Sequence, residues 1–203
     1  MKLYEAEMTP SCRRVAIFMN ELGIDIDRVP VNVRDGENLT EEFLSKSING
    51  KVPMLELADG TLLCESVAIC RYLNGVYDNN LYLFGRDALE QAKVEMWSRV
   101  VELQGLYVAF QAFRNITGIY KDREHCIEEW GIESKSRVRM VLPKIEKTLA
   151  NNTFIIGDRL TIVDITAYIY IGFIINALKI DVFTLFPNIQ RWFDELSQRE
   201  AFV

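Results

Sequence analysis

Residues 50–66 read Gly50-Lys51-Val52-Pro53-Met54-Leu55-Glu56-Leu57-Ala58-Asp59-Gly60-Thr61-Leu62-Leu63-Cys64-Glu65-Ser66. The apolar run Met54, Leu55, Leu57 meets the turn dipeptide Asp59-Gly60, and Leu62-Leu63 resumes it. That is the pattern of two short strands joined as a hairpin. Pro53, at the first position of the first strand, removes no ladder hydrogen bond there. With the Val52–Pro53 bond cis, the N–H and C=O of Val52 turn outward and offer an edge to an extended peptide. At the far end Glu65-Ser66 opens the apolar-periodic segment Val67, Ile69, Cys70, Leu73. Ser66 is therefore at or near a helix N-terminus, where spare N–H groups favour a carboxylate. Backbone edge, acidic side chain and helix start together suit a small zwitterionic peptide.

Upstream of the hairpin, Lys2 to Glu7 alternates around Leu3 and Tyr4 as a short strand. Thr9-Pro10 is a helix-start signal, threonine at the N-cap and proline at N1. Val15, Ile17, Phe18 and Leu22 follow at helical spacing, and Gly23 closes the helix. A second strand is expected over Arg28 to Val33, with Val29, Val31 and Val33 on one face and Pro30 marking an edge. Strand, helix and strand make a parallel βαβ unit. With the hairpin and the helix from Ser66 to about Val76, the order is βαβ then ββα, an α/β, thioredoxin-like domain expected over residues 1–78.

Residues 79–86 break the periodicity and are expected to be a linker. From Asp87 the strand signals vanish, and residues 87–203 are expected to be an all-helical, bundle-like domain. Leu89, Met96, Val100, Leu103, Leu106, Phe110 and Phe113 recur at three- and four-residue steps or their sums, as in a long amphipathic helix. Thr117 to Glu128 is polar and irregular, a loop. Val138, Val141, Leu142, Ile145 and Leu149 mark a further helix, in which Pro143 is expected to produce a kink. Thr161 with Asp164 three residues on forms a capping-box variant. The helix it opens, Ile162 to about Leu178, is apolar nearly all round and should be buried. Pro187 starts a last helix carrying Ile189, Trp192, Phe193 and Leu196.

The run Gly50-Lys51-Val52-Pro53-Met54-Leu55, a short hairpin, and Glu65-Ser66 opening a helix resemble the glutathione-binding signature of the cytosolic glutathione transferases, especially the bacterial members with a serine or threonine at the thiol. The likeness covers essentially the whole chain, including the capping box. It implies that Val52, before a cis Pro53, pairs with the cysteinyl backbone of glutathione, and that Glu65 and Ser66 hold the γ-glutamyl amine and carboxylate. Lys51 and Asn38 are then expected near the glycyl end. One departure is visible: the family often has a proline where this chain has Ile48, in Ser47-Ile48-Asn49-Gly50. The resemblance further implies a homodimer, with glutathione as co-substrate and no metal.

Such an enzyme must form a thiolate at neutral pH. A free thiol has a pKa of about 8.5, and lowering it by ~2 units requires ~2.7 kcal/mol of preference for the anion. One hydrogen bond to a charged group supplies ~1.5–3 kcal/mol and a helix N-terminus ~0.3–1 kcal/mol, so no general base is needed. The candidates are Thr9, Ser11 and Cys12. Matched to serine-type members of the family, Thr9 carries the hydroxyl. Other bacterial patterns place the contact at Thr9 and Ser11, or at Ser11 alone. Cys12, in the first helical turn, is a candidate redox residue, since a helix dipole stabilises a thiolate. The electrophile is expected between the domains, near Met8 and a mixed helical face formed by Tyr107, Gln111 and Arg114. The leading reading is conjugation of glutathione to a small hydrophobic electrophile. The alternatives are a glutathione-dependent thiol-disulfide reductase or peroxidase, and a non-catalytic interaction protein that keeps the fold.

Composition narrows the classes. Net charge is −6 with no basic stretch, so nucleic acid is not expected as a partner. The longest nearly apolar run, Ile165 to Leu178, is too short to span a bilayer, so no membrane insertion is expected. Cys12, Cys64, Cys70 and Cys126 are scattered, with no Cys-x-x-Cys pair, and His125 is the only histidine. That pattern argues against a zinc site or a disulfide framework. With no secretory leader pattern at the start, it points to a reducing, cytoplasmic setting.

Overall fold

The computed structural model describes residues 1–77 and 80–203. The expected domain boundary falls on Asp78 and Asn79, outside the described residues. The chain divides into two compact units, Met1–Leu81 with Glu200–Phe202, and Tyr82–Arg199 with Val203.

The first unit is thioredoxin-like. Its elements are β1 (Lys2–Glu5), α1 (Pro10–Leu22), β2 (Asp27–Pro30), α2 (Glu41–Lys46), β3 (Met54–Glu56), β4 (Leu62–Cys64) and α3 (Ser66–Val76). The sheet order is β2-β1-β3-β4, with β1 and β2 parallel and the other neighbours antiparallel. Val15, Phe18 and Leu22 of α1 are buried as their spacing requires. Gly23 ends the helix at φ +66°, donating to Asn20 O. α3 packs on α1, β3 and β4. On the other face Val31, Phe43 and Met54 form a small core with Tyr4, Val33, Leu62 and Cys64 against it.

Two expectations change here. β2 stops at Pro30 rather than Val33, because its partner β1 ends at Glu5. Val31 N–H still reaches Glu5 O at 2.7 Å, but Val33 N–H turns back to Val31 O. The short α2 is an addition to the expected elements. It is capped by Thr40, whose hydroxyl accepts from Phe43 N–H at 3.3 Å, and it delivers Phe43 edge-on to the Tyr4 ring. The chain's last turn, Glu200–Phe202, returns to this unit, where Arg13 and Asn20 of α1 donate to Phe202 O and Ala201 O.

The second unit is helical: α4 (Ala88–Val101), a π-helical turn (Glu102–Leu106), α5 (Tyr107–Thr117), α6 (Glu128–Arg137), a 3-10 turn (Val138–Val141), α7 (Leu142–Leu149), α8 (Ile162–Asn176) and α9 (Pro187–Ser197). α8 is buried around its whole circumference, with α4 and α5 packed on it. Leu83 O accepts from Ile162 N–H at 2.9 Å, anchoring the start of this unit to α8. Pro143 does not kink one continuous helix. It sits in the first turn of α7, where a proline N–H is not needed.

The long amphipathic segment has the expected period; Leu106, Phe110 and Phe113 turn inward as expected, but the upstream part has a different phase. Leu89, Met96 and Leu103 are more than half exposed, whereas Val94, Ser98, Val101, Gly105, Ala109 and Ala112 are buried. At Gly105 the buried face has no side chain because the Tyr170 ring lies against it. A Cβ on Gly105 would come within 3.3 Å of the Tyr170 ring.

Candidate functional site

Strand register brings the expected site residues to one end of the sheet. Tyr4 pairs with Met54, and Met54 with Cys64. The residues just beyond that row are Glu5 leading to the α1 loop, Pro53, and Glu65 leading into α3. The Val52–Pro53 peptide bond is cis. This is the edge where β1 and β4 finish and α1 and α3 begin, the end at which open α/β sheets present ligand sites. Neither α1 nor α3 has a side-chain cap at its N-terminus, whereas α2 and α4 are capped by Thr40 and Asp87.

The loop before β3 is tied together by amide side chains. Asn38 donates to Gly50 O at 2.6 Å. Asn49 Oδ1 accepts from Ser47 Oγ at 3.2 Å and from Lys51 N–H at 3.1 Å, while its Nδ2 donates to Glu65 Oε1 at 2.7 Å. Lys51 and Glu65 are exposed and Val52 is half-buried. Glu65 sits at φ +68°, in the left-handed region that a non-glycine residue rarely adopts. Such a backbone is held only where the surroundings over-determine it. Ser66 is buried, and its Oγ accepts from Arg14 Nη1 at 2.8 Å.

At the mouth of α1, Thr9 does not cap its helix. Its hydroxyl donates to Ala6 O at 2.8 Å. Ser11 is half-buried, one residue into the helix after Pro10, and its hydroxyl has no hydrogen bond to a described residue. Ser11 and Arg14 are three apart on α1 and so share a side, the side from which Arg14 reaches Ser66. Cys12 is fully buried, with Ala6 N–H directed at its Sγ at 3.4 Å. Burial pushes its pKa up. A thiol so placed has neither the access nor the thiolate that redox exchange needs, which corrects the expectation of a redox Cys12. Cys70 is buried too, its thiol pushed up to about 12 by desolvation.

The residues expected around the electrophile divide between the units. Met8, in the first, is 90% exposed. In the second, Tyr107 is exposed and Gln111 and Arg114 are half-buried on one side of α5. Arg114 is not an idle cation, because it pairs with Glu124 at 2.6 Å and lies over the Tyr120 ring.

Two residues in this network escape a reading of the sequence. Nothing in composition marks Asn49. Arg14 does leave a signal: it interrupts the buried face of α1 four residues before Phe18, and an arginine is almost never buried unless paired. Among the described residues no group of three or more His, Cys, Asp or Glu side chains is placed to hold a metal ion, and no helix is long and apolar enough to cross a membrane.

Comparison with known proteins adds an independent line. The family model "Glutathione S-transferase, N-terminal domain" matches residues 3–80, and "Glutathione S-transferase, C-terminal domain" matches residues 128–200. Glutathione S-transferase 2 of Saccharomyces cerevisiae is 29% identical over 99% of this chain and 87% of its own length. Among solved structures, a class Gtt2 glutathione S-transferase of Vibrio parahaemolyticus is 58% identical, covers 100% of this chain and 95% of its own, and superposes with a TM-score of 0.89. A glutathione S-transferase domain-containing protein of Marinobacter aquaeolei is 32% identical with both chains fully covered and a TM-score of 0.95.

Proposed function

The chain belongs to the glutathione S-transferase family, and from that premise we propose that it conjugates the thiolate of glutathione to the electrophilic carbon of a small hydrophobic compound, forming a thioether. The observation that carries this reading is the Tyr4–Met54–Cys64 register, which gathers an uncapped helix start, the edge at cis Val52–Pro53 and the Glu65-Ser66 pair at one end of one sheet. In this reading Glu65 takes the γ-glutamyl amine and Ser66 with the α3 N–H groups takes its carboxylate. Val52 pairs with the cysteinyl backbone, and Lys51 faces the glycine carboxylate. Asn38, whose amide holds Gly50, sets the position of that loop.

The thiolate is held at the start of α1. Of the two hydroxyls there, Ser11 is the readier donor, because the Thr9 proton is committed to Ala6 O. Thr9 then shapes the loop and becomes a second donor only by rotating away from that carbonyl. The sulfur attacks the electrophile, its electron pair forms the new C–S bond, and the leaving group departs with the displaced pair. Met8, Tyr107, Gln111 and Arg114 are assigned to the electrophile's surroundings.

A reductase working through a protein thiol would call for an accessible, low-pKa cysteine, and Cys12 is the reverse. A reductase or peroxidase that uses the bound glutathione thiolate at the same site is the alternative that assays separate from conjugation. We assign the protein to the cytoplasm and to a homodimer. The exposed apolar row Leu89, Met96 and Leu103 supports a second copy as its cover. Steady-state assays decide the chemistry. Turnover of a chloronitroaromatic with glutathione is expected, with little reduction of a mixed disulfide, and the opposite pattern refutes conjugation. Sedimentation is expected to give twice the chain mass.

A further inference from the structure

We propose that Arg14 is a positioning residue for the α-carboxylate of the γ-glutamyl group, acting through the Ser66 hydroxyl. The proposal rests on the glutathione-binding reading above and deepens it. Arg14 is 2% exposed and Ser66 5% exposed, and Arg14 Nη1 lies 2.8 Å from Ser66 Oγ. A guanidinium has donors only, so the polarity of this bond is fixed: Arg14 gives the proton and Ser66 Oγ accepts. The serine's own proton must then go elsewhere, and among the described residues no acceptor meets it. A buried hydroxyl proton is normally matched. Here its natural acceptor is an anion at the start of α3, where the helix has no side-chain cap to compete.

Arg14 therefore converts Ser66 from a side chain able to point its proton either way into an oriented donor. Without Arg14 the hydroxyl is free to turn toward a backbone carbonyl of its own helix turn, as serines commonly do. Preorganised donors cost less to recruit than ones that must rotate, so the effect falls on ligands that carry the carboxylate and on no others.

The test measures dissociation constants by calorimetry for glutathione and for 4-aminobutanoyl-cysteinyl-glycine, which lacks only that carboxylate. The proteins are wild type, R14M, R14K, S66A and R14M/S66A, each checked for folding by thermal melting. Wild type is expected to prefer glutathione by about 10- to 100-fold, the worth of a hydrogen bond to a charged group. R14M and S66A should each reduce that preference to within about threefold, and the double variant should fall no further, the mark of residues acting as one unit. R14K, a different donor on a shorter arm, should lose at least about threefold of the preference. No preference in wild type overturns the carboxylate site itself, and the present proposal with it. An intact preference in folded R14M overturns the proposal alone, as does an equal loss of affinity for both ligands. Should R14M fail to fold, an undiminished preference in R14K overturns it.

Discussion

Asn49 Nδ2 donates to Glu65 Oε1 at 2.7 Å across sixteen positions of chain, joining the loop before β3 to the residue that opens α3. The orientation of the amide is not ambiguous, because its oxygen already receives Ser47 Oγ and Lys51 N–H. Flipping it would set a donor against the Lys51 N–H and turn the oxygen toward a carboxylate. One asparagine thus holds the Lys51-Val52 segment and one oxygen of Glu65 in a fixed relation, leaving the other oxygen for a ligand.

Asn49→Leu should weaken glutathione binding by about 1–2 kcal/mol, and Glu65→Ala by about 1.5–3 kcal/mol, the usual range for charge-assisted bonds. The double variant should lose less than the sum, since Asn49 acts on the ligand through Glu65. Titration calorimetry of the four proteins checks this. Strict additivity would separate Asn49 from the site.

Ser11→Ala should raise the pKa of bound glutathione's thiol by at least about one unit, roughly 1.4 kcal/mol. Thr9→Ala should move it less, because the Thr9 proton is already spent on Ala6 O. Cys12→Ala should leave it nearly unchanged, any loss of activity tracking loss of stability. Thiolate absorbance against pH on each glutathione complex reads the order directly. A larger shift in Thr9→Ala than in Ser11→Ala would return the donor role to Thr9.

What the sequence makes legible follows from how local each signal is. The hairpin, the start of α1 at Thr9-Pro10 and the Thr161–Asp164 box are spelled by adjacent residues, and all are present. α2 has no sequence signature because six residues contain too little of a helical period. The phase of α4 is not legible because its largest apolar side chains lie on the exposed face. Leu89, Met96 and Leu103 face out, while Val94, Ser98, Val101 and Gly105 lie on the buried seam. Asn49 leaves no mark in the sequence and Arg14 only its interruption of the buried face of α1, because each acts through a partner sixteen or fifty-two positions away, a distance only the fold supplies.

Two helical glycines should respond to alanine with opposite signs. At Gly131 of α6 a Cβ would lie 2.8 Å from Ile116 Cγ1 and 2.9 Å from Ile116 N, a backbone atom of α5 that cannot step aside cheaply. Gly131→Ala should destabilise by about 1–3 kcal/mol, despite alanine's better helix propensity. At Gly75 of α3 no described atom comes within 4 Å, and Gly75→Ala should stabilise by about 0.5–1 kcal/mol. Urea denaturation of both variants measures the two changes, and a stabilising Gly131→Ala would contradict the close α5–α6 approach.

Asp164 should give stability a pH dependence of its own. It is fully buried at the start of α8 and accepts from Ile155 N–H, Thr161 N–H, the Thr161 hydroxyl and Trp192 Nε1 at 2.9–3.2 Å. Burial nevertheless raises its pKa from 3.8 to about 6, outweighing those donors. The folded state therefore holds the proton more tightly than the unfolded chain does. The resulting stabilisation is complete below about pH 4 and is lost as pH rises through about 6, amounting to roughly 3 kcal/mol at most. Asp164→Asn cannot ionise, so its stability curve should be flatter between pH 4 and 7, though lower throughout, since its amide meets donors with a donor. Asp164→Ala leaves those donors unmatched and should cost about 3–5 kcal/mol. Denaturation midpoints of wild type and Asp164→Asn across this range decide the point. An equal slope in both would mean that Asp164 keeps an ordinary carboxylate pKa and that its four donors just offset its burial.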